Sequence, residues 1–307
     1  MDITDTTDVR PSAYRSFAPL RAAPASRRRV WTVFAAFVGA VGSAGFFTLA
    51  ILFVFVGVMA VAFKAEHGAP PTVSAVRQAG AALGTDPIGL LGSGLAACLS
   101  FALFALVPAS LSEEPFAERL RLVAHRRWFA WGLVAAVGML GVGQVSSGLM
   151  ALAGLEHHGS IGVIERAFDH APPAVFASAL LIIGVGAGVG EELFFRGYMQ
   201  TRLARRWRPW VAVVVTAALF GLVHFDVYHS AFAFCAGLLL GWVSLRAGSV
   251  RPTIVAHVAN NAVSVVGMAL TSSTEHTSTA VAAAEIALGV VFVGGCVLAF
   301  RGAPQPA

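Results

Sequence analysis

The sequence predicts an all-α integral membrane protein with about eight transmembrane helices. Three observations support this fold class. Of the 307 residues, 57% are hydrophobic and only 12% are charged, whereas soluble domains contain about 25% charged residues. The apolar residues form runs that are long enough to cross a bilayer. Most arginines lie between these runs rather than within them.

The first 29 residues form a polar segment that precedes the apolar runs. This segment ends in Arg27, Arg28 and Arg29. We expect residues 1–29 to be a disordered, basic cytoplasmic tail. The apolar run that follows is longer than the core of a cleavable signal sequence, which has about 7–15 residues. It is therefore expected to remain in the mature protein as a membrane anchor.

Eight apolar segments approach or exceed the length of about 20 residues with which a helix crosses the hydrocarbon core. By this length criterion they lie at about 30–63, 88–111, 128–155, 174–200, 209–225, 230–245, 253–270 and 280–300. Each segment is expected to form one transmembrane helix.

The basic residues predict how these helices are oriented. With the N-terminus inside, the outside loops contain only Lys64, Arg77 and Arg166, and nearly all other basic residues outside the spans lie inside. This asymmetry follows the positive-inside rule and predicts that both termini are cytoplasmic. It also explains the net charge of +5 without nucleic-acid binding, because no basic surface interleaved with aromatic residues is evident. The Ala/Gly/Arg-rich composition suggests a bacterial cell membrane.

The second half of the chain contains ionisable and amide side chains within its apolar segments. Such residues usually face the bundle interior or a water-filled cavity, and they are functional candidates. They are Glu191, Glu192, Arg196, His224, His257, Asn260 and Asn261. Asp226 and His229 are assigned to the short turn after His224. The other histidines fall in predicted loops, namely His67, His125, His157, His158, His170 and His276.

Helical spacing assigns these residues to faces. Glu192 and Arg196 are four residues apart and can form an ion pair along one face. Glu191 points about 100° away from Glu192 and is left to face another partner. His257 and Asn261 also share a face, and together they offer a pair of donors to a developing oxyanion.

This set of side chains suggests hydrolysis by an activated water molecule. Glu191 would be the general base, with His224 orienting the water or assisting proton transfer. An alternative is a metal site in which Glu191, His224 and His257 are three ligands and water is the fourth, although the usual HExxH signature is absent. A further alternative is a buried ion-pair network that only holds helices together. Nucleophilic catalysis by serine is not supported, because no G-x-S-x-G motif occurs.

The predicted depths of the histidines conflict with a bundle of straight, parallel helices. At about 1.5 Å per residue, His224 would lie some 20 Å from the inside end of its span, and His257 well under 10 Å from its own. We therefore expect strong helix tilt and a boundary error near residues 205–209.

Three motifs follow one another on successive apolar segments: "EELFFR" fits EExxxR, "FGLVH" fits FxxxH and "HVANN" fits HxxxN. In this order they resemble the CPBP family of intramembrane proteases, which contains the CAAX prenyl endopeptidases and bacterial bacteriocin-processing or immunity proteins. The resemblance covers about residues 174–270. It implies eight helices around a polar catalytic cavity.

The resemblance also implies roles for the matched residues. Glu191 and His224 would activate water, while His257 and Asn261 would form the oxyanion site. Glu192 and Arg196 would give structural support. Members were first described as metalloproteases, so a divalent metal such as zinc stays an alternative.

These inferences divide the chain and define its expected partners. We expect N-terminal transmembrane helices without a recognised motif at residues 30–170, a catalytic core at 171–301 and a short tail at 302–307. The expected substrate is a membrane-associated peptide or protein in a lipid bilayer, and a prenylated substrate is not expected in a bacterium. A non-enzymatic membrane scaffold or immunity protein is the alternative function. A transporter ranks lower, because its polar groups would commonly occur in both halves of an inverted repeat.

Overall fold

The structure is a computed structural model that describes residues 30–124, 126–169, 171–270 and 276–302. All of its regular elements in these ranges are helices. They are α1 Trp31–His67, α2 Val73–Leu83, α3 Pro87–Ser110, α4 Phe116–Arg119, α5 Trp128–Leu152, α6 Gly159–Phe168, α7 Pro173–Ala204, α8 Pro209–Leu222, α9 Val227–Ala247, α10 Arg251–Leu270 and α11 Thr279–Gly302. The all-α membrane fold class is confirmed.

Each of the eight apolar segments forms a helix, but within the described ranges only six helices are long and apolar enough to cross a membrane. These are α1, α3, α5, α7, α9 and α11. Helix α8 has only 14 residues, or about 21 Å, which is less than the hydrocarbon core of about 30 Å. Helix α10 is long enough, but it carries His257 and two asparagines. The predicted count of eight spans is therefore not confirmed.

Helices α2, α4 and α6 were not predicted, because the prediction counted only long apolar segments. They lie in connections between the long helices. The side chain of Thr72 caps α2 by accepting a hydrogen bond from Ala75 N. Likewise, Asp86 lies directly before Pro87 and caps α3 by accepting a hydrogen bond from Ile88 N. The predicted tail at residues 1–29 lies outside the described residues, as do His125, His170 and residues 303–307.

The connections on the predicted inside contact one another. Arg205 Nη1 lies 2.8 Å from Glu114 Oε1, and Arg251 Nε donates to Leu122 O at 2.7 Å. Burial, and to a lesser extent the charge of Arg205, lowers the pKa of Arg121 to about 10. The Arg121 guanidinium thus stays protonated at neutral pH.

The connections on the predicted outside form a second group. Ser160 N, at the start of α6, donates to Asp226 Oδ2 at 3.2 Å. His276 Nδ1 lies 2.6 Å from Glu156 Oε1. Connections predicted for the same side therefore meet, as the alternating topology requires. Which group faces the cytoplasm stays a prediction.

Glycines allow α7 to pack closely between α3 and α10. A Cβ at Gly188 would lie 2.9 Å from Val258 N of α10, and one at Gly190 would lie 2.8 Å from Cys98 O of α3. Small residues permit such close approach between membrane helices. Gly188 and Gly190 thus serve helix packing.

Helices α5 and α11 also meet at glycines. A Cβ at Gly289 would lie 2.5 Å from Gly141 O and 2.9 Å from Val145 N. Backbone atoms cannot rotate away, so any side chain at this position must separate the helices.

We expect Gly289→Ala to destabilise the protein by about 1–3 kcal/mol, because it overpacks this contact. The matched control is Gly294→Ala on the same helix, where a Cβ meets nothing within 4 Å. Thermal unfolding in detergent measures both variants. Equal melting temperatures for the two would contradict the packing described here.

Candidate active site

The adjacent glutamates lie at an irregular part of α7. The segment Gly188–Glu192 is α-helical and lies between two π-helical segments, Leu180–Ala187 and Leu193–Gln200. π-Helical turns are rare and often occur at functional sites. They change the angular positions of the side chains that follow, so a purely α-helical projection of α7 does not apply.

Glu192 is at the centre of a buried polar cluster. Its Oε1 accepts a hydrogen bond from Arg196 Nη1 at 2.6 Å and lies 3.0 Å from His257 Nδ1. The side chains of Glu192 and Arg196 are both 0% exposed. The ion pair expected from the four-residue spacing is thus present, and it also binds α10 through His257.

Arg196 extends this cluster to two further helices. Its Nη2 donates to Gly237 O on α9 at 3.4 Å. Its guanidinium carbon lies 4.5 Å from the centre of the Phe220 ring on α8, within the range of a cation–π contact. One arginine therefore connects α7 to α8 and α9.

Glu191 differs from its neighbour in both exposure and partner. Its side chain is 14% exposed, and its Oε2 lies 3.8 Å from His257 Nε2. The two nitrogens of His257 therefore face the two adjacent glutamates. Since an ionised carboxylate only accepts hydrogen bonds, His257 Nδ1 must carry the hydrogen that Glu192 accepts. His257 Nε2 is then an acceptor in the neutral ring and a donor only in the charged ring.

His224 lies in the turn that ends α8, two residues after Leu222. Its Nδ1 donates to Phe220 O at 2.9 Å, because a carbonyl oxygen can only accept. Its Nε2 is then the acceptor of the neutral ring. The next residue, Phe225, has a φ of 50°, a left-handed conformation that is strained for a bulky side chain.

Phe220 brings the two catalytic candidates of α8 and α10 to one place. Its ring centre lies 5.3 Å from that of His224 and 5.9 Å from that of His257. The two histidines thus contact the same phenylalanine ring, although straight parallel helices would separate them. In the described part of the chain, however, no hydrogen bond or ion pair links His224 to Glu191.

The asparagines attach α10 to the π-helical part of α7. Asn261 Nδ2 donates to Ile183 O at 3.0 Å, and Asn260 Nδ2 donates to Asn261 Oδ1 at 3.4 Å. An amide nitrogen has two hydrogens. The hydrogen bond to Ile183 therefore uses one donor of Asn261 and leaves the other for a further acceptor.

The proposed metal ligands do not form a three-ligand set. Among the described residues, the group whose ligand atoms all lie within 4.8 Å of one another is Glu156, His157 and His276. Glu191 and His257 are close enough to face one ion, but His224 is not grouped with them. In the described residues these three side chains are not grouped at that distance, and a divalent metal at this site stays a hypothesis.

The sequence did not reveal that His229 packs against His224. His229 is not in the turn but in the first turn of α9, where its backbone N donates to the capping Asp226 Oδ1 at 2.8 Å. Its ring centre lies 4.1 Å from that of His224, and Ser160 Oγ lies 3.2 Å from its Nδ1. Aspartate is a preferred N-cap residue, and assigning that role to Asp226 would have started α9 at Val227 instead of residue 230.

Residues 173–263 match the family model of the type II CAAX prenyl endopeptidases, Rce1-like. Over these residues the chain is similar to this family. The matched segment extends from the start of α7 into α10 and contains all seven residues that the three motifs select. The resemblance to CPBP and CAAX proteases is thereby confirmed. No curated protein and no solved structure matches the chain.

The buried ion pair gives a stability prediction. Arg196→Gln would leave the Glu192 charge without its guanidinium, and removing one partner of a buried pair costs about 3–5 kcal/mol. The double variant Glu192→Gln/Arg196→Gln should be more stable than Arg196→Gln alone, because it removes the unpaired charge. The control is Arg77→Gln at an exposed position. Thermal unfolding in detergent measures all three, and an unchanged melting temperature for Arg196→Gln would refute the prediction.

Proposed function

We propose that this chain is a glutamate-type intramembrane endopeptidase that hydrolyses a peptide bond of a membrane-associated peptide or protein. The family match implies an intramembrane protease in general terms. The observation that carries the finer proposal is the pair of contacts of His257, with Glu192 at Nδ1 and Glu191 facing Nε2. Of the two glutamates, Glu191 is the one that does not form the ion pair with Arg196.

In the proposed reaction, Glu191 acts as the general base. It takes a proton from a water molecule, whose oxygen forms a bond to the carbonyl carbon of the substrate. The acceptor nitrogen of His224, Nε2, orients this water or takes part in the proton transfer. The proton then passes to the amide nitrogen as the carbon–nitrogen bond breaks, so that a carboxylic acid and an amine are released.

Asn261 and His257 stabilise the charge on the carbonyl oxygen in this proposal. Asn261 offers its second amide hydrogen, while the hydrogen bond to Ile183 O fixes the amide. His257 offers Nε2–H when its ring carries both protons. Preorganised donors of this kind act most strongly where water is excluded. His257 is buried, which supports this role.

The six long apolar helices place the reaction in a bilayer, and a peptide or protein is the substrate class that a protease implies. The arginine distribution supports a membrane orientation with both termini in the cytoplasm. We propose a bacterial cell membrane as the location and a substrate without a prenyl group. A non-enzymatic scaffold that uses the buried cluster only for packing is the alternative outcome of the test below.

We expect Glu191→Gln to lower the rate of cleavage by about 10²–10⁴-fold, since it removes the base but keeps the shape of the side chain. The measurement compares the termini of membrane proteins in cells that express either form at equal levels. New termini that depend on Glu191 would identify substrates and activity together. The matched control is Glu66→Gln, an exposed position on α1, which should cleave like wild type.

Matching profiles for wild type and Glu191→Gln, with both proteins folded and abundant, would exclude the protease and leave the scaffold.

Chelation tests the metal alternative directly. Because the geometry does not gather Glu191, His224 and His257 around one ion, cleavage of an identified substrate should persist after treatment with EDTA. A loss of activity that zinc restores, and that no loss of folded protein explains, would favour the metal-dependent reaction instead. The measurement is the initial rate before chelation, after it and after zinc is returned.

A further inference from the structure

A second cluster of metal-ligating side chains lies away from the candidate active site. Glu156 and His157 follow α5, and His276 precedes α11. One ligand atom from each of these residues lies within 4.8 Å of the others. Both segments lie on the predicted outside. The proposed protease reaction uses none of the three.

The contacts within this cluster arrange it around Glu156. His276 Nδ1 lies 2.6 Å from Glu156 Oε1, and Thr277 N donates to Glu156 Oε2 at 3.2 Å. The ring centres of His157 and His276 are 5.9 Å apart. A carboxylate and two imidazoles from segments 120 residues apart in the chain therefore converge.

One further contact favours a metal ion. His157 Nδ1 lies 3.2 Å from Glu165 Oε2 on α6. A carboxylate that binds one nitrogen of a histidine orients the ring and makes the other nitrogen a better ligand, as it does behind many metal-bound histidines.

We propose that Glu156, His157 and His276 bind one divalent transition-metal ion of the zinc class. Two histidines and a carboxylate, with water in the fourth position, are a common ligand set for zinc. Tetrahedral bonds of about 2.0–2.1 Å place ligand atoms about 3.4 Å apart. The ligand atoms of the cluster lie within 4.8 Å of one another, and the His276 side chain is 85% exposed and open to solvent.

This ion ties the connection after α5 to the start of α11, the two helices that pack through Gly141 and Gly289. Its removal by a chelator therefore affects stability without touching Glu191. The proposal does not depend on the proposed protease activity.

The test is a zinc titration of the full-length protein in detergent, purified without a polyhistidine tag. A chromophoric competitor measures affinity and stoichiometry, and thermal unfolding measures the stabilisation that bound zinc gives. We expect one zinc ion per chain and a rise in melting temperature on zinc addition. Replacing zinc with cobalt should give the absorption spectrum of a tetrahedral site.

Four variants decide the location of the ion. His276→Ala and His157→Ala should each weaken zinc binding by more than about 10-fold, and Glu165→Gln by about 10-fold. The matched control is His67→Ala. This histidine ends α1 and lies 3.1 Å from Phe63 O of its own helix, so its loss should leave zinc affinity unchanged.

The proposal is overturned if wild type binds no zinc in the micromolar range or if His276→Ala and His157→Ala bind it as wild type does. It is also overturned if His224→Ala, rather than His276→Ala, abolishes binding, because the ion would then lie at the active site.

Discussion

The fold and the candidate site both depend on one buried oxygen atom, Oε1 of Glu192. A carboxylate removed from water is costly unless it is paired and hydrogen-bonded. Here Oε1 is bonded by Arg196 and His257 together. These contacts hold α7 against α10, and Arg196 continues to α8 and α9. The contacts that compensate for burying the Glu192 carboxylate thus connect four helices at one point. They also fix the orientation of the His257 ring.

Close approach of the helices makes this cluster possible. Lipid tails are as apolar as leucine side chains, so helices in a membrane associate through packing and hydrogen bonds rather than through the hydrophobic effect. Gly188 and Gly190 place the backbone of α7 in contact with α10 and α3. The glutamates follow directly in sequence, where the helix passes from an α-helical to a π-helical turn. Packing and chemistry therefore use the same part of α7, and the small residues bring the imidazole of α10 within reach.

Much of this could be predicted from the sequence, because lipid imposes simple rules on length and charge. Each apolar segment forms a helix, and the spacing of Glu192 and Arg196 gave their pairing. No recognised sequence signal marked the π-helical turns of α7. A projection of α7 with 3.6 residues per turn could therefore not predict that Ile183 O accepts a hydrogen bond from Asn261 of α10. The conflict in depth between His224 and His257 led to an expectation of helix tilt, but the sequence could not show that the Phe220 ring contacts both histidines. His229 was misplaced for a local reason, since the capping role of Asp226 was overlooked.

The two adjacent glutamates show how the surroundings of a side chain decide its chemistry. Both are glutamates on the same helix turn, and both approach the same histidine. Glu192 is fully buried and already accepts hydrogen bonds from a guanidinium and an imidazole, so a proton taken from water would cost the stability of the cluster. Glu191 has no such bond, is partly exposed and faces the second nitrogen of His257 at 3.8 Å. A general base must release its proton again without losing the contacts that hold it, so the proposed role of base falls to Glu191. In that proposal, Glu192 holds His257 in place while Glu191 reacts.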